Sequence, residues 1–484
     1  MKTIISENVF ATVVRATNKL ADFIKPTYGP AENKIIIGKP FGTMVLDDGV
    51  AAAREFELED VAENEVVKVV KEVAVRTNNR VGDGTTGAII MAQAIIKEIA
   101  EFGKIDGKKI VTELKKASAE FKEKILKKAK KISTKEELKK VAMVSFGNEP
   151  IAKIIANLLH KVGFNGVITL EESQAPETTV EMTDGIGIDK GFLSQYMVTN
   201  PQRQEAVLNN PYIIVTDYRL TGPQDCISIM EKCLAAGKRD LLVVAEHTEG
   251  DALATFVVNK IEGKFNALVI DAPQFGLNRD EFLRDLAMLT GATVISEENG
   301  IKFSDITMEM LGTCEKVVSK IDKTVVVGGN ARKKELKETI AFLKDKIANG
   351  PVEWREGYKH RLGRLQNGIA VIKVGANTES EAKALKYKVE DAVNATKVAF
   401  KSGVVRGAGI ALSEIETSSQ ILNNALKYPH RQLLENTGMK KGDIGKEIVD
   451  PVEVLIAGVE SAVSIASLLV TTKGIMVDVP EKKD

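Results

Sequence analysis

The residues richest in chemistry are Val81-Gly82-Asp83-Gly84-Thr85-Thr86-Gly87, which open directly into an apolar-periodic helix carrying Ala88, Ile89, Ala92, Ile95, Ile96 and Ile99. A helix start presents unpaired N–H groups and the positive end of the dipole, and both favour a phosphate. Gly84 would let the backbone approach closely, Thr85 and Thr86 could donate hydroxyls, and Asp83 could hold a hard cation between phosphate oxygens. Taken alone, Asp and Thr here are also good helix caps, and that is the commoner meaning of such a run. Four further segments carry related chemistry. Thr27-Tyr28-Gly29-Pro30 is a tight loop at a helix end, and Asp47-Asp48-Gly49 is an acidic turn. Glu390-Asp391 falls in a helix predicted over 388–400, and Gly403-Val404-Val405-Arg406-Gly407-Ala408-Gly409 is a glycine-rich turn. Neither a G-x-x-x-x-G-K-[ST] loop nor a kinase signature set occurs.

The elements that must position these residues come in three textures. An amphipathic helix is predicted over 9–24, stopped at Pro26, then short strands over 34–38 and 44–46, then long helices as far as Lys131. From Gly166 to about Gly368 strands and helices alternate. Strand 212–215 precedes helix 225–236, 241–245 precedes 251–261, and 267–270 precedes 280–289. That cadence predicts a β-α-β domain with a mostly parallel sheet. After strand 370–374 the chain turns helical again and ends in a strand over 474–479. Helical flanks around an α/β middle imply one discontinuous domain with another inserted into it. Gly185, Gly368 and Gly403 sit near the changes of texture, where they would serve as hinges or as ordinary turns. The strands over 34–38 and 474–479 look incomplete as sheet partners within one domain.

Composition narrows the function. At 484 residues the chain exceeds one core. Its 67 basic and 67 acidic side chains cancel, which argues against nucleic acid or an anionic membrane as partner. The lysines between Lys115 and Lys140 alternate with Glu113, Glu120, Glu123, Glu136 and Glu137, as on a solvated helix face. Cys226, Cys233 and Cys314 lack metal-ligand spacing and suit a reducing cytosol, so the expected location is cytoplasmic and no structural zinc is expected. Glu7 interrupts the N-terminus before an apolar run can form, so no secretory signal is expected. The most membrane-like segment, 462–470, contains Ser464 and Ser467 and reads as a buried core helix.

In order and nearly in spacing, these residues resemble a group I (GroEL-type) chaperonin. The resemblance is carried by Leu20-Ala21-Asp22, Thr27-Tyr28-Gly29-Pro30, Asp48-Gly49-Val50, Glu57-Leu58-Glu59-Asp60 and Gly82-Asp83-Gly84-Thr85-Thr86. It continues through Gly191-Phe192-Leu193-Ser194, Glu249-Gly250-Asp251-Ala252-Leu253, Val389-Glu390-Asp391-Ala392 and Asp450-Pro451, covering essentially the whole chain. It implies an α/β multidomain chaperonin fold. A mostly helical, discontinuous equatorial domain would span 1–130 and 403–484, a small α/β intermediate domain 131–184 and 369–402, and an inserted apical α/β domain 185–368. It further implies an ATPase that uses ATP and Mg2+, with K+ admitted as a second cation. Thr27, Tyr28, Gly29, Pro30, Asp83, Gly84, Thr85, Thr86, Gly87, Gly407, Ala408 and Asp450 would hold ATP, Asp83 would ligate the metal, and Asp48 and Asp391 would orient the attacking water. Phe192, Tyr196, Met197, Ile227, Met230, Leu253, Val257 and Val258 would face a cavity and bind non-native polypeptides. The expected partners are other copies of the chain in a ring, heptameric as in the family, and a GroES-type co-chaperonin.

The chain also departs from that pattern. Asp47 stands where the family usually has a lysine, the usual triple glycine reads Gly407-Ala408-Gly409, and the stretch between Asn436 and Asp443 is much shorter, so looser recognition of the base is expected. Three other readings are a chaperonin-like holdase or scaffold with weak turnover, a small-molecule phosphotransferase, and a group II chaperonin. The first is opposed by the retention of Asp48, Asp83 and Asp391, and the second by the lack of a polar acceptor site in the α/β part. The third is opposed by the compactness of 237–249, which leaves no room for a helical lid.

Overall fold

The computed structural model describes residues 2–4, 9–29, 33–39, 42–46, 49–103, 106–163, 166–173, 175–201, 203–366, 368–440 and 448–477. The chain divides into two compact units, Met1–Phe164 with Thr378–Asp484, and Asn165–Asn377.

The first unit is helical and is organised by the helix Val452–Thr471, which packs against Val61–Val81, Thr85–Glu101 and Gly107–Lys128. This helix is apolar on nearly every face, the pattern of a helix surrounded by others. It is long and apolar enough to cross a membrane, yet 72% of its most apolar stretch is buried inside the fold. The core reading of 462–470 therefore holds. Local sequence sets the helix starts. Asp60 accepts from the N–H of Glu63, Asp106 from Lys109 and Asn148 from Ile151, while Thr134 and Glu137 form a capping box. Among the described residues three two-stranded antiparallel pairings complete the unit: Ile35–Lys39 with Gly42–Leu46, Lys2–Ile4 with Ile475–Val477, and Val404–Arg406 with Val449–Pro451. The strands over 34–38 and 474–479, expected to be incomplete as sheet partners within one domain, thus each have a partner in their own chain. The partner of the last strand is a three-residue strand, too short to carry a readable alternation.

The second unit contains an eight-stranded sheet in the order Asn266–Asp271, Asp240–Ala245, Tyr212–Thr216, Gly312–Ser319, Thr324–Gly329, Gly185–Ile188. Val294–Ile295 adds to Tyr212–Thr216, and Ala206–Asn209 to Gly312–Ser319. Only the pairings among 212–216, 240–245, 266–271 and 294–295 are parallel. Every pairing of Gly312–Ser319 and Thr324–Gly329 is antiparallel, so the sheet is mixed rather than mostly parallel. The reason is local: no crossover helix separates these two strands, and a short turn can return the chain only antiparallel. A second sheet places Ile369–Val374 between Val167–Glu172 and Thr179–Thr183. Gly185 and Gly368 are fixed by packing, since a β-carbon there would lie 2.3 Å from the Val326 carbonyl oxygen and 2.6 Å from that of Thr183.

Candidate functional site

The Asp83 loop is a three-residue reversal between two helices. Gly82, at φ 69°, ends Val61–Val81 and donates its N–H to the Asn78 carbonyl, and Gly84, at φ 75°, caps Thr85–Glu101. Both lie in the left-handed region that glycine adopts at no steric cost. The loop is also tightly enclosed. A β-carbon on Gly82 would stand 2.4 Å from Asn394 Nδ2, and one on Gly84 2.4 Å from Val454 Cγ1. Asp83 is held at both oxygens, Oδ1 accepting the Gly84 N–H at 2.6 Å and Oδ2 the Ser145 hydroxyl at 3.1 Å.

Three more chain segments converge on this helix start. Thr27 closes a short 3-10 turn and donates its hydroxyl to the Ile24 carbonyl at 2.8 Å. Asn436 clamps the turn by donating to the carbonyls of Lys25 and Tyr28, at 2.7 and 2.8 Å. Gly49 lies against the hydroxyls of Thr86 and Thr27, which a β-carbon there would approach to 2.0 and 2.9 Å. The third wall is the turn Gly407-Ala408-Gly409, whose last two residues have φ of 56° and 71°. An alanine in that conformation is strained by about 1–2 kcal/mol. The Ala408 carbonyl lies 2.8 Å from Nδ1 of the buried His430, and the Asp450 carboxylate accepts the N–H groups of Gly409 and Ala408.

The electrostatics are those of acidic groups crowded together. Burial pushes the Asp450 carboxyl up to about 7, the charge of Asp83 adds to this, and the two N–H donors of the turn oppose it. Burial also raises the Tyr28 phenol, with Asp450 and Asp83 adding in the same direction. Asp391 lies in Glu379–Ser402, one turn before the Asn394 that packs on Gly82. Residues three apart share a helix face, so Asp391 stands on the side of its helix turned toward the Asp83 loop. Thr27, Tyr28, Gly29, Asp83 to Gly87, Gly407, Ala408 and Asp450 are therefore gathered in one place, whereas Asp48 and Pro30 lie outside the described residues. Sequence reasoning missed Ser145, Asn394, Asn436 and His430. They arrive from three helices, His430 and Asn436 sharing Tyr428–Thr437, and nothing in their local spacing marks them.

Among the described residues no three His, Cys, Asp or Glu side chains converge as a metal cage. Mg2+ is commonly bound through one or two carboxylates plus phosphate oxygens rather than by a protein cage, and the Asp83 carboxylate at this helix start could serve as such a ligand.

In the second unit, the helices Pro223–Ala235 and Gly250–Ile261 pack on each other. Ile227 and Val258 are 39% and 50% exposed and Tyr196 is 67% exposed, while Leu253 and Val257 are half-buried. Phe192, Met197 and Met230 are buried, so their assignment to a cavity-facing surface is corrected. Phe192 bridges to Ile270 and the Met197 sulfur accepts the Val269 N–H. Met230, four residues after Cys226 and three before Cys233, falls on their buried stripe. Leu234 and Ile261 extend the exposed apolar set. Their helical spacing was readable, but not which face would be covered.

A family model described as the TCP-1/cpn60 chaperonin family matches residues 20–444. Among solved structures, the chaperonin gp146 from bacteriophage EL 2 (Pseudomonas aeruginosa), in the presence of ATP-BeFx, is similar over 99% of this chain and 100% of that chain. The sequence identity is 18% and the TM-score 0.69. A second crystal form of the same protein gives 17% identity and a TM-score of 0.62, covering 99% of each chain.

Proposed function

This chain belongs to the TCP-1/cpn60 chaperonin family and has the chaperonin fold, and from that premise we propose that it is an ATP-driven chaperonin of the group I (GroEL-type) class. The observation that carries the reading is the convergence of Thr27–Gly29, Gly82–Gly87 and the Gly407–Gly409 turn with Asp450 around one helix start. Free N–H groups there suit phosphates, and Asp450 beside its turn suits a ribose hydroxyl. Mg2+ held at Asp83 would neutralise phosphate charge. Asp391, with Asp48, orients the water that attacks the terminal phosphorus as the bond to the leaving diphosphate breaks. Catalysis of this kind is mainly positioning.

The group I class is supported by residues 237–249, which hold the strand Asp240–Ala245 and no helix. In this reading the three-domain division and a heptameric ring follow the family, K+ is a second cation, and the protein is cytoplasmic. Non-native polypeptides bind where Tyr196, Ile227, Leu253, Val257 and Val258 form an apolar rim, and a GroES-type lid competes for it.

Two variants test the site. Asp83→Ala is expected to weaken Mg–ATP binding at least tenfold, about 1.4 kcal/mol. Asp391→Ala should retain binding while turnover falls roughly a hundredfold. Titration calorimetry paired with phosphate release separates the two effects. Full turnover in Asp391→Ala sinks the mechanism, and a parent protein that binds ATP without turnover favours the holdase reading.

A further inference from the structure

Resting on the nucleotide reading above, we propose that the phenol of Tyr28 positions the phosphate attached to the ribose, donating its hydrogen bond between the Asp83 and Asp450 ends of the site. The backbone of Tyr28 is held from both sides, its N–H by the Lys25 carbonyl and its own carbonyl by Asn436. Its ring lies over the first turn of Thr85–Glu101. A β-carbon on Gly87 would stand 3.3 Å from Tyr28 Cε2 and 3.6 Å from its hydroxyl. That turn carries the helix N–H groups that have no partner within the helix. The ring is half-buried, yet among the described residues no group bonds its hydroxyl.

The chemistry of the phenol suits a donor. Burial and the two neighbouring carboxylates oppose its ionisation, so it keeps its proton and adds no charge beside a triphosphate. Its place along the nucleotide follows from what flanks it. Terminal phosphates and their cation belong at Asp83 and the ribose at Asp450, and the group between them is the innermost phosphate. ATP and ADP share that phosphate, so the contact serves both.

The test is calorimetric titration of Mg–ATP, Mg–ADP and Mg–2′-deoxy-ATP into the parent and Tyr28→Phe, with thermal unfolding of each. Phenylalanine keeps the ring on Gly87 and removes only the hydroxyl. All three ligands should weaken by the same factor, roughly tenfold, as for loss of a hydrogen bond to a charged group. A second variant, Gly87→Ala, keeps the tyrosine but displaces its ring, and should reproduce the loss. Unchanged affinity in Tyr28→Phe overturns the proposal. So does a loss confined to ATP, which would place the phenol on the terminal phosphate, or a loss absent with the deoxynucleotide, which would place it on the ribose. A parent protein that binds no nucleotide removes the site itself, an outcome visible before any variant is made.

Discussion

Asp450 accepts two backbone N–H groups and still titrates near neutrality, because burial and Asp83 outweigh those donors. Its carboxyl rises from 3.8 to about 7 on folding, so between those values the folded protein holds the extra proton. Stability from this group is therefore complete below the lower value and is lost as the pH climbs through the upper one. Asp450→Asn, which cannot ionise, should gain on the parent as the pH rises, with the difference levelling off above about pH 7. Urea midpoints of the nucleotide-free proteins at acid, neutral and mildly alkaline pH measure this. A constant difference would mean that Asp450 is not the titrating group. At this scale the sequence was most legible where chemistry is local. The Asp83 loop announces itself through its glycines and threonines. By contrast Ser145 and Asn436 are ordinary helix residues until folding brings them to the loop, and the strain at Ala408 needs a backbone angle that composition does not show.

At the scale of elements, the paired helices Pro223–Ala235 and Gly250–Ile261 each have a buried and an exposed apolar side. Both sides are apolar, which is why the sequence reveals the helices but places Met230 on the wrong side. Mutation distinguishes the two sides. Met230→Ala should cost about 2–5 kcal/mol, the range for truncating a packed core side chain. Ile227→Glu and Val258→Glu sit at open positions and should change stability by about 0.5 kcal/mol or less. If the exposed side grips clients, those two variants should keep ATP turnover yet fail to suppress aggregation of a denatured test protein. Unfolding of Val258→Glu would assign that face to the core, and normal capture would place the grip elsewhere. The mixed sheet shows the same limit of legibility. Strand-helix alternation gives the parallel half, whereas the antiparallel half depends on a turn only a few residues long.

At the scale of the molecule, two of the three two-stranded pairings described in the first unit are the ribbons Ile35–Lys39 with Gly42–Leu46 and Lys2–Ile4 with Ile475–Val477. Isolated two-stranded ribbons are marginal in water and leave edges open. Ile36 on one and Met476 on the other are among the most exposed apolar residues of that unit. In the ring proposed above, these ribbons complete each other between neighbouring subunits. Sedimentation at micromolar concentration with ATP should then show a large closed oligomer, and Ile36→Glu with Met476→Glu should shift it toward monomer. A monomeric parent protein would contradict the ring.

The helix Val452–Thr471 has a consequence for how the chain is made. It fills the centre of the first unit, and the helices it packs against, Val61–Val81, Thr85–Glu101 and Gly107–Lys128, leave the ribosome long before it does. At about 5–20 residues per second, that interval is on the order of tens of seconds. Throughout it, the apolar faces of the early helices lack their central partner. The second unit is continuous from Asn165 to Asn377 and can close in the meantime. In the role proposed above, binding non-native polypeptides, the protein is during its own synthesis a chain of the kind it would bind.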